Sequence, residues 1–107
     1  MTTDPQKGIA SAHDAFERAQ QLGYAWGEGI AATFEAMLYA IVGESEVASK
    51  LFSHALVIQQ KLADWEGAGM SLSGLASLAA ARGDSAGALD LYRQSLFAFE
   101  TCGDRGE

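Results

Sequence analysis

The 107-residue chain has one cysteine, one proline, and only 7 lysines and arginines against 14 aspartates and glutamates. A lone cysteine, Cys102, excludes an internal disulfide and suits a reducing compartment; its ordinary reading is a small, half-buried apolar residue, not a nucleophile. The formal net charge of −7 opposes a phosphate backbone or an anionic lipid surface, so no direct nucleic-acid or membrane partner is expected. No apolar run approaches the roughly eighteen residues of a membrane span, and Met1-Thr2-Thr3-Asp4-Pro5 lacks the basic start of a secretory leader. A soluble, cytoplasmic protein is predicted. No segment has the alternation or β-branched enrichment of a strand. G-x-S-x-G, P-loop, C-x-x-C and H-E-x-x-H motifs are all missing, and neither catalysis nor a cofactor is expected.

What the chain does contain is a repeat. Sliding the sequence along itself until Gly43 falls on Gly83 also places Leu22 on Leu62, Gly27 on Gly67, Gly29 on Gly69, Leu38 on Leu78 and Ala40 on Ala80. The register continues with Ala48 on Ala88, Leu51 on Leu91, Phe52 on Tyr92, Ala55 on Ser95 and Leu56 on Leu96, while Ala15 and Phe16 fall on Ala55 and Leu56. Such periods mark stacked supersecondary units that bury their apolar faces against one another.

Within each unit the apolar residues recur at helical spacing, as in Ala48, Leu51, Phe52, Ala55, Leu56 and Leu62. Leu72, Leu75, Ala76 and Ala79 form another stripe, matched one period earlier by Ala32, Glu35, Ala36 and Tyr39, in which Glu35 is the exception. Ile9, Ala12, Ala15, Phe16, Ala19 and Leu22 supply a first helix after Asp4-Pro5, a cap followed by a first-turn proline. Gly43 and Gly83 fall where a helix ends in a left-handed residue, and Asp64, Asp84 or Glu44-Ser45 can cap the helix that follows. Five helices are predicted, near 6–22, 25–42, 45–62, 65–82 and 85–101, an all-α chain.

The segment Leu72-Ser73-Gly74-Leu75-Ala76-Ser77-Leu78-Ala79 through Gly83-Asp84, Ala88, Leu91-Tyr92 and Ser95-Leu96 resembles a tetratricopeptide repeat. A large residue and then a small one (Leu75, Ala76) admit the second helix closely, Gly83-Asp84 reverses the chain, and Ala88 lies at the closest contact. The preceding unit matches with Ala36, Tyr39, Gly43, Ala48, Phe52 and Ala55, although Glu35 and Glu44 depart from the pattern. The period that separates Gly43 from Gly83 is longer than the roughly 34 residues of the usual repeat, and the usual proline after the second helix is missing. The phrase Gly103-Asp104-Arg105-Gly106, with Asp64-Trp65-Glu66-Gly67 before it, resembles the longer repeats of bacterial signalling ATPases and transcriptional regulators.

The resemblance implies an antiparallel helix-hairpin solenoid with a half unit at 3–22, full units at 23–62 and 63–102, and Gly103-Asp104-Arg105-Gly106-Glu107 as the start of a further unit or a tail. It also implies a non-catalytic protein-binding scaffold, a fragment or module of a larger bacterial regulatory protein; the rival reading is a module that senses a peptide or small molecule. Partner binding is assigned to the concave face, at Thr33, Met37, Ile41, Ser73, Ser77 and Ala81, a neutral surface suited to a helix or hydrophobic peptide. It lacks the basic cluster that would hold a terminal carboxylate.

Leu91, Tyr92, Leu96, Phe97 and Phe99 make the last helix too apolar for a terminal cap, which predicts a homo-oligomer. Trp26 and Trp65, near helix starts, are expected to seal joints between hairpins. His13 and Glu17 stand four apart and His54 could approach them, but an exposed surface pair explains them better than a metal site.

Overall fold

Four turns set the architecture, and they share one geometry. In the computed structural model, which describes residues 4–104, left-handed residues occur at Gly23, Gly43, Ala63 and Gly83, with φ of 67°, 86°, 55° and 87°. At each, two N–H groups reach back to the end of the preceding helix. Gly43 N donates to Ala40 O at 3.1 Å and Glu44 N to Tyr39 O at 2.9 Å, and the same pair recurs at 23–24, 63–64 and 83–84. This is the Schellman closure, which satisfies carbonyls that the helix leaves open.

The residue after each left-handed one also begins the next helix. The carbonyls of Tyr24, Glu44, Asp64 and Asp84 accept from the N–H groups of Glu28, Ala48, Ala68 and Ala88 at 2.9–3.0 Å. One residue therefore closes one helix and opens the next. Asp64 Oδ1 accepts from Gly67 N at 3.1 Å and Asp84 Oδ1 from Gly87 N at 2.9 Å, whereas Tyr24 and Glu44 make no such side-chain bond. Asp4 Oδ1 accepts from Gln6 N at 3.0 Å ahead of Pro5.

The elements are α1 (Pro5–Leu22), α2 (Ala25–Ile41), α3 (Ser45–Lys61), α4 (Trp65–Ala81) and α5 (Ser85–Asp104). Consecutive helices pack on one another, and among the described residues the one further contacting pair is α2 with α4. The result is an antiparallel helix-hairpin solenoid in which α2 and α4 lie side by side. Helix α5 runs past residue 101, where it was expected to end, and Gly103 and Asp104 stay helical instead of turning. At the four turns that do form, a following helix packs back on the one before. No such helix follows Asp104 among the described residues, and Arg105, Gly106 and Glu107 lie outside them.

Close approach is achieved with small residues. Ala32, Ala36, Ala48, Ala55, Ala76 and Ala79 are fully buried, and Phe52 fills the space among α2, α3 and α4 with Leu78, Tyr39, Leu51 and Leu75 around it. A Cβ at Gly74 would overlap the Phe52 ring, so this glycine lets the ring pass beneath α4. A Cβ on Gly29 would stand 3.4 Å from Gln59, and one on Gly69 would stand 2.8 Å from Phe99. These two contacts are one period apart, so the repeat holds in three dimensions as well as in sequence.

Candidate groove on the face shared by α2 and α4

Because α2 and α4 neighbour each other, their outward side chains form the walls of a groove. Met37 and Ile41 stand on one side, and Met70, Ser73 and Ser77 on the other. Gly74 lies in the floor with Ala40, Phe52, Leu78 and Phe99, the two rings reaching in from α3 and α5. The cavity is about 410 Å³ and lined almost wholly by apolar atoms. That is within the roughly 300–1,000 Å³ of sites that enclose a ligand, and ample for apolar side chains of a partner segment. Met37, Ile41 and Met70 are exposed, and the two thioethers can adapt to more than one shape.

Met37, Ile41, Ser73 and Ser77 thus come together on one surface. Thr33 does not join them. It is 3% exposed and points into the joint of α2, α3 and α4, where Gln59 and Ser71 are equally inaccessible. The Gln59 amide nitrogen is placed to donate to Ser71 Oγ at 2.6 Å and Gly67 O at 3.0 Å, while its oxygen accepts from Thr33 Oγ1 at 3.1 Å. The two hydroxyls are 3.2 Å apart. Thr33 turns inward because this buried amide must be met by polar partners. Ala81 also stands apart, beside Ser45, Glu46, Ser49 and Arg82 in an adjoining depression that shares Leu78 with the groove.

Met70, Gly74, Phe52 and Phe99 line the groove although none was expected there from sequence. Met70 carried a signal, since 70, 73, 77 and 81 follow one helical stripe. Phe52 and Phe99 carried less. They belong to other helices, and only Gly74 and Gly69 mark where their rings arrive.

On α5, Phe97 is 71% exposed and Leu96 is exposed, while Leu91 is half-buried. Tyr92 is 43% exposed, against 2% for its repeat equivalent Phe52, because α4 covers α3 but no helix among the described residues covers α5 in that way. Tyr92 OH lies 3.2 Å from Ser77 Oγ, and Phe99 packs on Gly69, so both also belong to the groove side of the molecule. Trp65 is half-buried. Trp26 remains about half exposed and leans on Tyr24 with ring centroids 6.0 Å apart, so it does not close a joint.

The histidines engage different carboxylates. His13 Nε2 is 2.6 Å from Glu17 and its Nδ1 is 3.3 Å from Glu35, which α1 covers almost completely. His54 Nε2 meets Glu28 at 2.6 Å, and the Phe16 ring lies edge-on to the His54 ring. Among the described residues no three candidate ligands gather. Glu35, the exception in the apolar stripe, is therefore a buried acid held by an imidazole, and its Oε1 has no hydrogen-bond partner among the described residues.

The stacked antiparallel hairpins define a helical repeat protein. The tetratricopeptide-repeat family profile matches residues 29–100, two thirds of the chain, and the chain belongs to that family. Tetratricopeptide repeats generally mediate protein–protein interaction, and the family is typically non-catalytic. Comparison with curated proteins and with solved structures returns no significant match. No helix among the described residues is long and apolar enough to cross a membrane.

Proposed function

We propose that this protein is a protein-binding module whose groove between α2 and α4 receives a helix or an apolar peptide segment. The observation that supports this most directly is the alignment of Met37, Ile41 and Met70 around an open apolar cavity whose floor is already filled from α3 and α5. Ser73 and Ser77 leave the α4 wall low enough for a backbone to lie against it. The long repeat period supports placing the module in a bacterial regulatory assembly. A sensing role, with a peptide as the ligand, would use the same surface.

Selection from a random peptide library tests the groove. The wild-type protein should enrich apolar sequences, and a folded Met37→Asp/Met70→Asp variant should lose them. Equal enrichment by both proteins would overturn the assignment.

The side chains of α5, of which Tyr92, Leu96, Phe97 and Phe99 are exposed, support a second element of the reading, self-association through these four and the half-buried Leu91. Buried apolar area is the dominant favourable term in association, and Phe97 and Leu96 have most of theirs available. Sedimentation over micromolar concentrations should show a dimer or higher species that Leu96→Glu/Phe97→Glu dissociates. A monomer throughout would refute it.

A further inference from the structure

Within the helices, positive charge is confined to one layer of the solenoid. Among the five helices, lysines and arginines occur on α1 (Lys7, Arg18), α3 (Lys50, Lys61) and α5 (Arg93), while α2 and α4 carry only Glu28, Glu35 and Glu66. Two of these acids are turned away from the groove and engaged by histidines, Glu35 by His13 and Glu28 by His54. Glu66 is exposed, one turn before Met70 on the same face of α4. At the other end of α4, Glu46 is exposed beside Ala81 in the depression that continues the groove past Leu78. Neither Glu46 nor Glu66 has an ion-pair partner among the described residues. Arg82 lines the same depression as Glu46 and faces Asp84 at 3.7 Å. The groove is therefore apolar along its middle and has an unpaired glutamate toward each end, Glu46 sharing its depression with an Arg82 that Asp84 engages.

Resting on the groove assignment above, we infer that its occupant is an amphipathic helix with an apolar face and a lysine or arginine near each end. From Glu66 to Ala81 the α4 axis rises roughly 22 Å, the length of about four helical turns. A helix of that length laid along α4 would set its apolar side chains over Gly74, between Met37 and Met70. Its terminal cations would then reach Glu46 and Glu66. The acids steer a basic segment inward and repel an acidic one, while apolar burial in the cavity supplies most of the affinity.

Three synthetic peptides of about sixteen residues separate the terms. Each has glutamines on its outer face. The first has leucines on the inner face and a lysine at each end, the second replaces the lysines by glutamates, and the third replaces the leucines by serines. Fluorescence anisotropy with the full chain should show the first binding, the second binding more weakly and the third not binding. Glu46→Gln and Glu66→Gln should each weaken the first by about two- to five-fold, and together they should erase its advantage over the second. Asp14→Asn/Asp90→Asn, which changes net charge as much as the two glutamine substitutions together, should leave it unchanged. Equal binding of the first two peptides would overturn the charge inference and leave the groove standing. Equal weakening by the Asp14/Asp90 variant would overturn it too, by reducing the preference to net charge. Failure of all three peptides to bind would remove the groove assignment itself.

Discussion

Replacing Ala63 by glycine should stabilise the protein, although it removes a side-chain atom. Ala63 adopts φ of 55° in the same turn for which Gly23, Gly43 and Gly83 are used. A left-handed conformation costs an L-residue about 1–2 kcal/mol, through the approach of Cβ to the following carbonyl oxygen. Glycine avoids this cost but has more conformational freedom to lose on folding, about 0.5–1 kcal/mol. The difference is a net gain of about 0.5–1 kcal/mol. The reverse exchange, Gly43→Ala or Gly83→Ala, should lose about the same amount. Sterics do not confuse the comparison, because a Cβ added at Gly43 or Gly83 meets nothing within 4 Å. For a chain of this size, 1 kcal/mol moves the midpoint by about 4 °C. Thermal unfolding followed by circular dichroism should therefore place A63G about 2–4 °C above wild type, and the two alanine variants below it by a similar margin. If A63G melted below wild type while G43A and G83A were unchanged, left-handed strain would not be what distinguishes these turns.

Gly74→Ala should destabilise by about 1–3 kcal/mol in urea titrations, because its methyl overlaps Phe52. Combining it with Phe52→Leu should recover part of the loss. Gln59→Leu should cost about 1–3 kcal/mol, measured in the same way, since it leaves Thr33 and Ser71 without their shared buried partner. Asp84→Ala should lose about 1 kcal/mol with its cap, whereas Glu44→Ala, where no side-chain cap exists, should be close to neutral.

Much of the groove was legible in sequence because it follows one stripe on each of two helices, Met37 with Ile41 on α2 and Ser73 with Ser77 on α4. Thr33 was assigned to the wrong side of the α2 stripe. A threonine on a small-residue helix suits solvent or interior equally, and only the buried Gln59 of another helix draws it inward. Glu35 presents the same difficulty. It breaks the apolar pattern locally, and its burial depends on His13 arriving from α1.

The sequence by itself determined the helices, their common period and the turns between them. These depend on hydrogen bonds between residues a few positions apart and on apolar spacing within one helix, so a local pattern encodes them. Tertiary structure decided what each helix face meets. It carried Phe52 beneath Gly74, joined Gln59 to Thr33 and Ser71, brought Phe99 to the groove and left Glu46 and Glu66 at its ends. Gly103 and Asp104 stay helical, where the same kind of residue pair at Gly83-Asp84 turns the chain. The physical reason is that helix and turn hydrogen bonds join residues a few positions apart, whereas the partner of a helix face is supplied by elements far away in the chain.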